Sequence, residues 1–461
     1  MGSIKQYTDI FRQNREAIDR NSAEVLNSRR QAALEALDDR ELPDRRDEGF
    51  EKTSIDEMFA PDFGLNINRV NIPVDVASSF RCDVPNMSTA IAFVLNDSFH
   101  PSSALASKLP EGVIFDSLRK AAVEHPELVA SHYGTLAPLD RPGVALNTLL
   151  VQDGVFIYVP RGVKLAKPLQ LVNIFSSPAS LMAVRRVLIV MDDDSEAQLL
   201  VCDHTQDCDN NYLSSQIIEV VMGRGARFDL YDMEESSAKT ARYSQLFARQ
   251  EAGSSLLVNG ITLTGGVTRN DYNIDVMGEH SETLLAGMAI GTGHQHTDNN
   301  SSVNHLAERC HSRQLFKYVL DEESTGAFEG GITVNPSARF IEAYQSNKNL
   351  LASTSARMHT KPQLLIYCDD VKCSHGATTG QLDAEALFYM RSRGISEKGA
   401  RTMLMQAFMA DVIDTVRMDG LRDRLRHLVD KRFHGQRSFC GSCAASCHES
   451  NNAKPSAHEP A

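Results

Sequence analysis

Cys373 and His375 stand two residues apart in YCDDVKCSHGATTGQLD (367–383), where two acids, two cysteines and a histidine meet small turn residues. Thiolate and imidazole are the usual protein ligands for iron, zinc and iron–sulfur clusters. In an extended Cys-x-His, alternation sets both side chains on one face, roughly 7 Å apart. Two ligands do not close a site that takes about four. Distant residues or a second chain must supply the rest; otherwise the pair is a buried thiol beside a turn histidine.

Two other groups bear on metal chemistry. GTGHQHTDNNSSVNHLAERCHSRQ (291–314) holds His294, His296, His305, Cys310 and His311. It lacks a paired carboxylate or a second close motif, so it reads as a histidine-rich polar turn region. Near the C-terminus stand Cys440-x2-Cys443-x3-Cys447-His448, four soft ligands with metal-like spacing. Adjacent Cys447 and His448 are awkward for tetrahedral closure, and a mobile thiol tail is the competing reading.

Composition narrows the function classes. Of 461 residues, 42% are hydrophobic and 23% charged, as in a soluble globular protein. A formal charge of −13 argues against general nucleic-acid binding, which needs a basic face. No G-x-x-x-x-G-K-[ST] loop, G-x-S-x-G elbow or H-E-x-x-H helix occurs, and GGVTRN and GTGHQH lack a dinucleotide context. No self-contained enzyme is evident, and the chain should bind no nucleotide of its own. MGSIKQYTDIFRQNREAIDR has no apolar signal core or myristoylation pattern, and no run approaches the roughly 20 apolar residues of a membrane helix. The expectation is a cytoplasmic protein whose nine scattered cysteines are free thiols.

The elements that must position these residues fall into three textures. Residues before about 145 read mostly as helix; AEVLNSRRQAALEALDD (23–39) is amphipathic, with Ser22 placed to cap it, and LPDRRDEGFEKTSIDEMF (42–59) breaks the pattern. More helix is expected around SSALASKLP (102–110) and GVIFDSLRKAAVEHPELVASHYG (112–134). From about Ala145 short apolar, β-branched runs alternate with Gly, Asp and Ser, the signature of strands and turns. SEAQLLVC, GARFDLYD, GSSLLVNG and SETLLAGM begin at Ser195, Gly225, Gly253 and Ser281, about 28–30 residues apart. Such self-similarity indicates stacked units sharing one core; a solenoid, a hairpin chain and a propeller all fit. After Asp383 helix returns, with Ala400, Met403, Leu404, Ala407, Phe408, Val412 and Ile413 on one face, Ser396 as cap and Gly420 as stop. That face packs on the solenoid end or meets a partner. A second helix, LRDRLRHLVDKRF, follows, and from about Gly435 the composition is that of a disordered tail.

KPQLLIYCDDVKCSHGATTGQLDAEALFYMRSRGIS (361–396) resembles the C-terminal signature of the SufB/SufD family of iron–sulfur cluster assembly proteins. Ser374, Gly376 and Gly380 make it similar to the SufD branch, since SufB-type chains carry Glu in the corresponding run. RQLFKYVLDEESTGAFEGGITV, NKNLLAS and LPDRRDEGFEKTS also resemble family patterns, with Phe50 where a Trp is usual. The likeness runs from about residue 40 to 433.

The resemblance implies a mainly β fold, a right-handed parallel β-helix core (145–381) between an N-terminal helical domain (1–144) and a C-terminal one (382–434), with 435–461 a disordered tail. It implies a non-catalytic subunit paired with SufB through the β-helix and with the ABC-type ATPase SufC on the C-terminal helices, around Met403, Leu404, Phe408 and Val412. It also implies that a nascent cluster or iron is shared with SufB, His375 supplying a ligand with Cys373 nearby. Cys440, Cys443, Cys447 and His448 lie beyond the family pattern and gain no role from it. The isolated chain could form a homodimer through an edge meant for a paralogue. A polysaccharide-acting β-helix enzyme is disfavoured by the free thiols, and a metal-free scaffold is the remaining alternative.

Overall fold

The computed structural model describes residues 2–70, 89–102, 105, 109–206 and 209–434. Cys82, Cys208, most of 102–110 and the tail with Cys440, Cys443, Cys447 and His448 therefore lie outside, or largely outside, the described residues.

The architecture is a parallel β-helix of about 8 turns with helices on its flanks. From Val155–Val159 and Leu169–Phe175 to Arg357–Ile366 and Val371–Gly380, successive strands alternate between a nine-stranded and a ten-stranded sheet. Each pair of strands is one turn, laid in parallel register on the turn before. Inter-strand spacing is about 4.8 Å, so each turn covers the unpaired edge of its predecessor.

One corner explains the repeat seen in the sequence. Asp194, Gly225, Gly253, His280, Arg309 and Phe340 all have φ between 56° and 70°, each just before a strand of the ten-stranded sheet. Their N–H groups donate to backbone carbonyls one turn further on, as Gly225 does to Ala252 and His280 to Glu308. The residues after the first five, Ser195, Ala226, Ser254, Ser281 and Cys310, are buried at the bend. Glycine adopts this left-handed conformation without strain, whereas the others must be held there by the ladder. The four repeat starts in the sequence are thus one stacked corner; the other sheet went unrecognised.

Inside, the turns pack two kinds of side chain. Near the corner the lumen is apolar, with Leu199, Leu230, Val258 and Leu285 stacked in one column. Further along the strands it is polar and even ionic. Asp203 accepts from Arg185 (3.2 Å) and Arg242 (2.9 Å), and Arg242 also pairs with Asp232 at 2.5 Å. Burial pushes the neighbouring Glu234 carboxyl up to about 8.

Outside, each sheet carries its own helices. The N-terminal helices bury Tyr7, Phe11, Phe59 and Leu146 against Met182, Val184, Leu213 and Tyr243 of the nine-stranded sheet. Arg186 and Glu219, both fully buried, meet at 2.6 Å there, and Glu219 also accepts the N–H groups of Gly134, Leu136 and Ala137. The C-terminal helices Glu397–Ile413 and Asp419–Phe433 cover the ten-stranded sheet instead, Met409, Val412 and Leu425 packing with Leu257, Ile261 and Met288.

Several local expectations change. The stretch after Ser22 is two short helices, Glu24–Asn27 and Arg30–Ala36, and the first is preceded by Ala23, which offers no side-chain cap. GVIFDSL opens with a strand, Ile114–Ser117, whose Ser117 then caps the helix Leu118–Glu124. Ser396 does cap Glu397–Ile413 through Gly399 N–H, but that helix ends at Asp414, and Gly420 lies inside the next one.

Candidate functional site

The two sheets end on strands that no further turn covers among the described residues. Val371–Gly380 closes the ten-stranded sheet and Arg357–Ile366 the nine-stranded one, and both are largely exposed. Register fixes which way the last strand points its side chains. Cys373 lies over Ala343, His375 over Gln345 and Ala377 over Asn347, all three partners being buried lumen residues. Cys373 and His375 therefore share the inward face of a turn that has nothing above it among the described residues. The thiol is half-buried against the core, and burial pushes its pKa up. His375 is exposed, with no hydrogen-bond or ion-pair partner among the described residues.

The other histidines are not gathered with this pair. His294 is exposed and pairs with Glu323 at 3.1 Å. His296 has both ring nitrogens engaged, Nδ1 with Thr325 Oγ1 (2.6 Å) and Nε2 with Thr53 Oγ1 (2.8 Å). It belongs to a clamp that straps residues 49–53 on to the sheet: Arg269 lies over the Phe50 ring, donates to Gly49 O at 2.9 Å and pairs with Asp298, which also accepts from Thr53. His305 is sealed in the lumen beside Ser312 (2.8 Å); burial, helped by His311, pushes its pKa down to about 4. Cys310 is buried at its corner with Sγ 3.2 Å from Gly278 O. Among the described residues no three His, Cys, Asp or Glu side chains are placed to hold a metal ion. Cys373 and His375 would supply part of a coordination sphere, and the open face above them is where the remainder would enter.

The helical face differs from its sequence reading. Glu397–Ile413 turns Thr402, Met405, Met409, Val412 and Ile413 inward. Val412, expected on a docking face, is fully buried against the chain's own sheet and is unavailable to a partner. Phe408 is partly buried beneath Lys317, whose ammonium sits 4.7 Å from the ring centre and pairs with Asp411. Met403 remains outside, half exposed, with Leu404 partly so.

An aromatic and aliphatic set near the open end escaped the sequence reading. Tyr344, Leu365, Ile366 and Tyr367 belong to the last two turns, and Phe388 and Tyr389 to the helix that follows, Ala384–Ser392. All are exposed, Phe388 to 74%, and that helix buries no residue of its own. Large apolar groups concentrated beside an uncovered strand mark an interaction surface. The signal was present as LFYM (387–390), one turn after the Asp383 cap.

Comparison with known proteins fits this arrangement. Residues 174–408 match the family described as "SUF system FeS cluster assembly, SufBD core domain", and residues 1–171 match "SufBD protein N-terminal region"; the chain belongs to the SufBD family. Within it the similarity runs to the SufD branch. The iron–sulfur cluster assembly protein SufD of Escherichia coli is 36% identical over 173 residues, 38% of this chain and 41% of that protein. SufD of Bacillus subtilis is 25% identical over 76% of this chain and 80% of its own. An iron–sulfur cluster assembly SufBD family protein of Synechocystis is 27% identical over 88% of this chain and 91% of its own. Among the described residues no helix is long and apolar enough to cross a membrane.

Proposed function

We propose that this chain is the SufD-type, non-catalytic half of a cytoplasmic SufB–SufC–SufD scaffold on which iron–sulfur clusters are built. The observation that carries the reading is His375, an unpartnered imidazole on the inward face of an uncovered terminal strand. SufB sets its own solenoid end against this one, and the seam encloses the imidazole together with ligands from SufB. Iron and the nascent cluster are cargo at that seam. His375 gives a neutral nitrogen to iron, and Cys373, protonated in the free chain, loses its proton if it becomes a ligand. The exposed apolar residues near the open end supply the burial that holds the two solenoids together.

SufC docks beside Met403 and Leu404 on the C-terminal helices. Those helices are packed along the sheet whose last strand carries His375, so rotation imposed on them by ATP-driven closure of SufC is passed to the seam. The test is His375→Ala in an anaerobically reconstituted assembly. Iron content and cluster yield should fall at least tenfold while the assembly forms normally; wild-type loading overturns the reading and leaves a metal-free scaffold.

A further inference from the structure

Below His375 the lumen column changes character. Its first members are Leu199, Leu230, Val258 and Leu285, but its last three are Gln314, Gln345 and His375. Two amides have replaced leucine-sized side chains in the turns nearest the open end, where each must find partners or cost about 1–3 kcal/mol.

The amide orientations are fixed by their surroundings. Gln314 Nε2 donates to Gly331 O at 3.1 Å, so Gln314 Oε1 is the acceptor, and it takes the Ser301 hydroxyl at 2.7 Å. Gln345 must then present its NH2 to that same oxygen, which it does at 3.1 Å. A flipped Gln345 would set two carbonyl oxygens against each other. Gly330 makes room for this amide: a Cβ there would run into Gln345 Nε2 and the Phe328 ring. One end of Gln345 is thus anchored from below.

The other end has no partner among the described residues. Gln345 Oε1 is a buried acceptor without a hydrogen bond, in a residue only 4% exposed. The next residue in its column, one strand spacing of about 4.8 Å away, is His375. Of the side chains on the inward face of the last strand, Val371 and Ala377 have no polar hydrogen, Thr379, which accepts from Asn349, lies four residues further along, and Cys373 is a weak donor. The imidazole, exposed and unbonded, is free to rotate about its side-chain torsions. It is also the strong donor nearest in register.

We propose that Gln345 is the positioning residue for His375: its side-chain carbonyl accepts one imidazole N–H as the open end is covered, leaving the other ring nitrogen facing the seam as a lone-pair donor. The inference rests on the reading of His375 as an iron ligand but adds something independent of it, the tautomer. A metal-binding histidine generally donates its second N–H to a fixed acceptor, and loss of that acceptor typically weakens metal binding 10–100-fold. Here the acceptor is preset by a relay, Ser301 to Gln314 to Gln345, built before any metal arrives. Only a free imidazole N–H is needed to complete it.

The experiment reads the tautomer directly, by nitrogen-15 NMR of histidine-labelled full-length chain in the metal-free assembly, with His375→Ala to assign the signal. The wild type should show one dominant tautomer, and Gln345→Met, similar in volume, a mixture with ferrous iron bound 10–100-fold more weakly. Gln345→Asn, whose carbonyl is drawn back by one methylene, should behave like Gln345→Met and serves if that variant folds poorly. A tautomer mixture in the wild type, or unchanged populations in either folded variant, overturns the proposal. If His375→Ala leaves iron loading intact while Gln345→Met still shifts the tautomer, the hydrogen bond stands and the ligand reading falls.

Discussion

The two ends of the solenoid solve the same problem in opposite ways. A stack of parallel strands always leaves an unpaired edge at each end, and exposed edges invite association. At the N-terminal end the chain covers both. Ser98–Pro101 pairs antiparallel with Ala90–Leu95 to finish one sheet, and Ile114–Ser117 pairs antiparallel with Val155–Val159 to finish the other. Helices also pack over the outer face of the first turns there, burying Phe156, Leu188 and Val190. At the C-terminal end neither last strand is reversed or paired further among the described residues, and Pro362 in Arg357–Ile366, which lacks an N–H at the free margin, is the edge-blunting residue there. The helix Ala384–Ser392 leaves the last turn without burying a single residue. Among the described residues the chain closes one end with added antiparallel strands and leaves the other open, with its Cys-x-His there.

The sealed region should therefore be intolerant and the open end permissive as a monomer. The largest effect is expected at Arg186, fully buried with Glu219. Arg186→Met strands a buried carboxylate that still holds three backbone N–H groups, and urea unfolding should show a loss of about 3–5 kcal/mol.

Next comes His305, whose pKa lies at about 4 in the folded chain and near 6.5 when unfolded. Between those values the unfolded chain binds a proton that the folded one refuses. Stability from this residue is complete above pH 6.5 and is lost as pH falls toward 4, by up to about 3 kcal/mol. His305→Asn should flatten the stability profile across that window, measured by denaturation at stepped pH; an unchanged slope would move the acid sensitivity elsewhere.

The smallest and sharpest contrast is between two glycines. A Cβ at Gly287 would strike the Phe316 ring, whereas one at Gly376 meets nothing within 4 Å. Gly287→Ala should lower stability by about 1–3 kcal/mol. Gly376→Ala should stay within about 0.5 kcal/mol as a monomer, while a larger Gly376→Arg should block pairing at the seam, read by analytical ultracentrifugation with the partner.

Legibility in the sequence followed the physics of each region. The stacked corner was visible because a left-handed backbone and a buried bend restrict it to Gly, Asp or Ser in most turns. Where Arg309 and Phe340 occupy that corner the signal fades, although the geometry persists. The nine-stranded sheet was harder, since its inward residues include Gln216, Ser244, Asn270 and Asn299 and so do not alternate as apolar against polar. Cys373 and His375 could be placed on one face from spacing alone. That this face looks into the lumen, with Gln345 beneath it, needed the register. The inner side of Glu397–Ile413 is only partly legible, because MLMQAFMADVI is apolar on nearly every side: Ala400, Val412 and Ile413 are buried as the pattern expects, while packing against Leu257 and Met288 selects Met405 and Met409 over Met403 and Phe408.

The left-handed corners have a further consequence for how such a molecule changes in evolution. Because every turn hands the same backbone template to the next, one whole turn could be gained or lost without redesigning its neighbours. Each such step would lengthen or shorten the rod by about 4.8 Å. The distance from the first turn to the last is therefore quantised, and it changes only by whole turns.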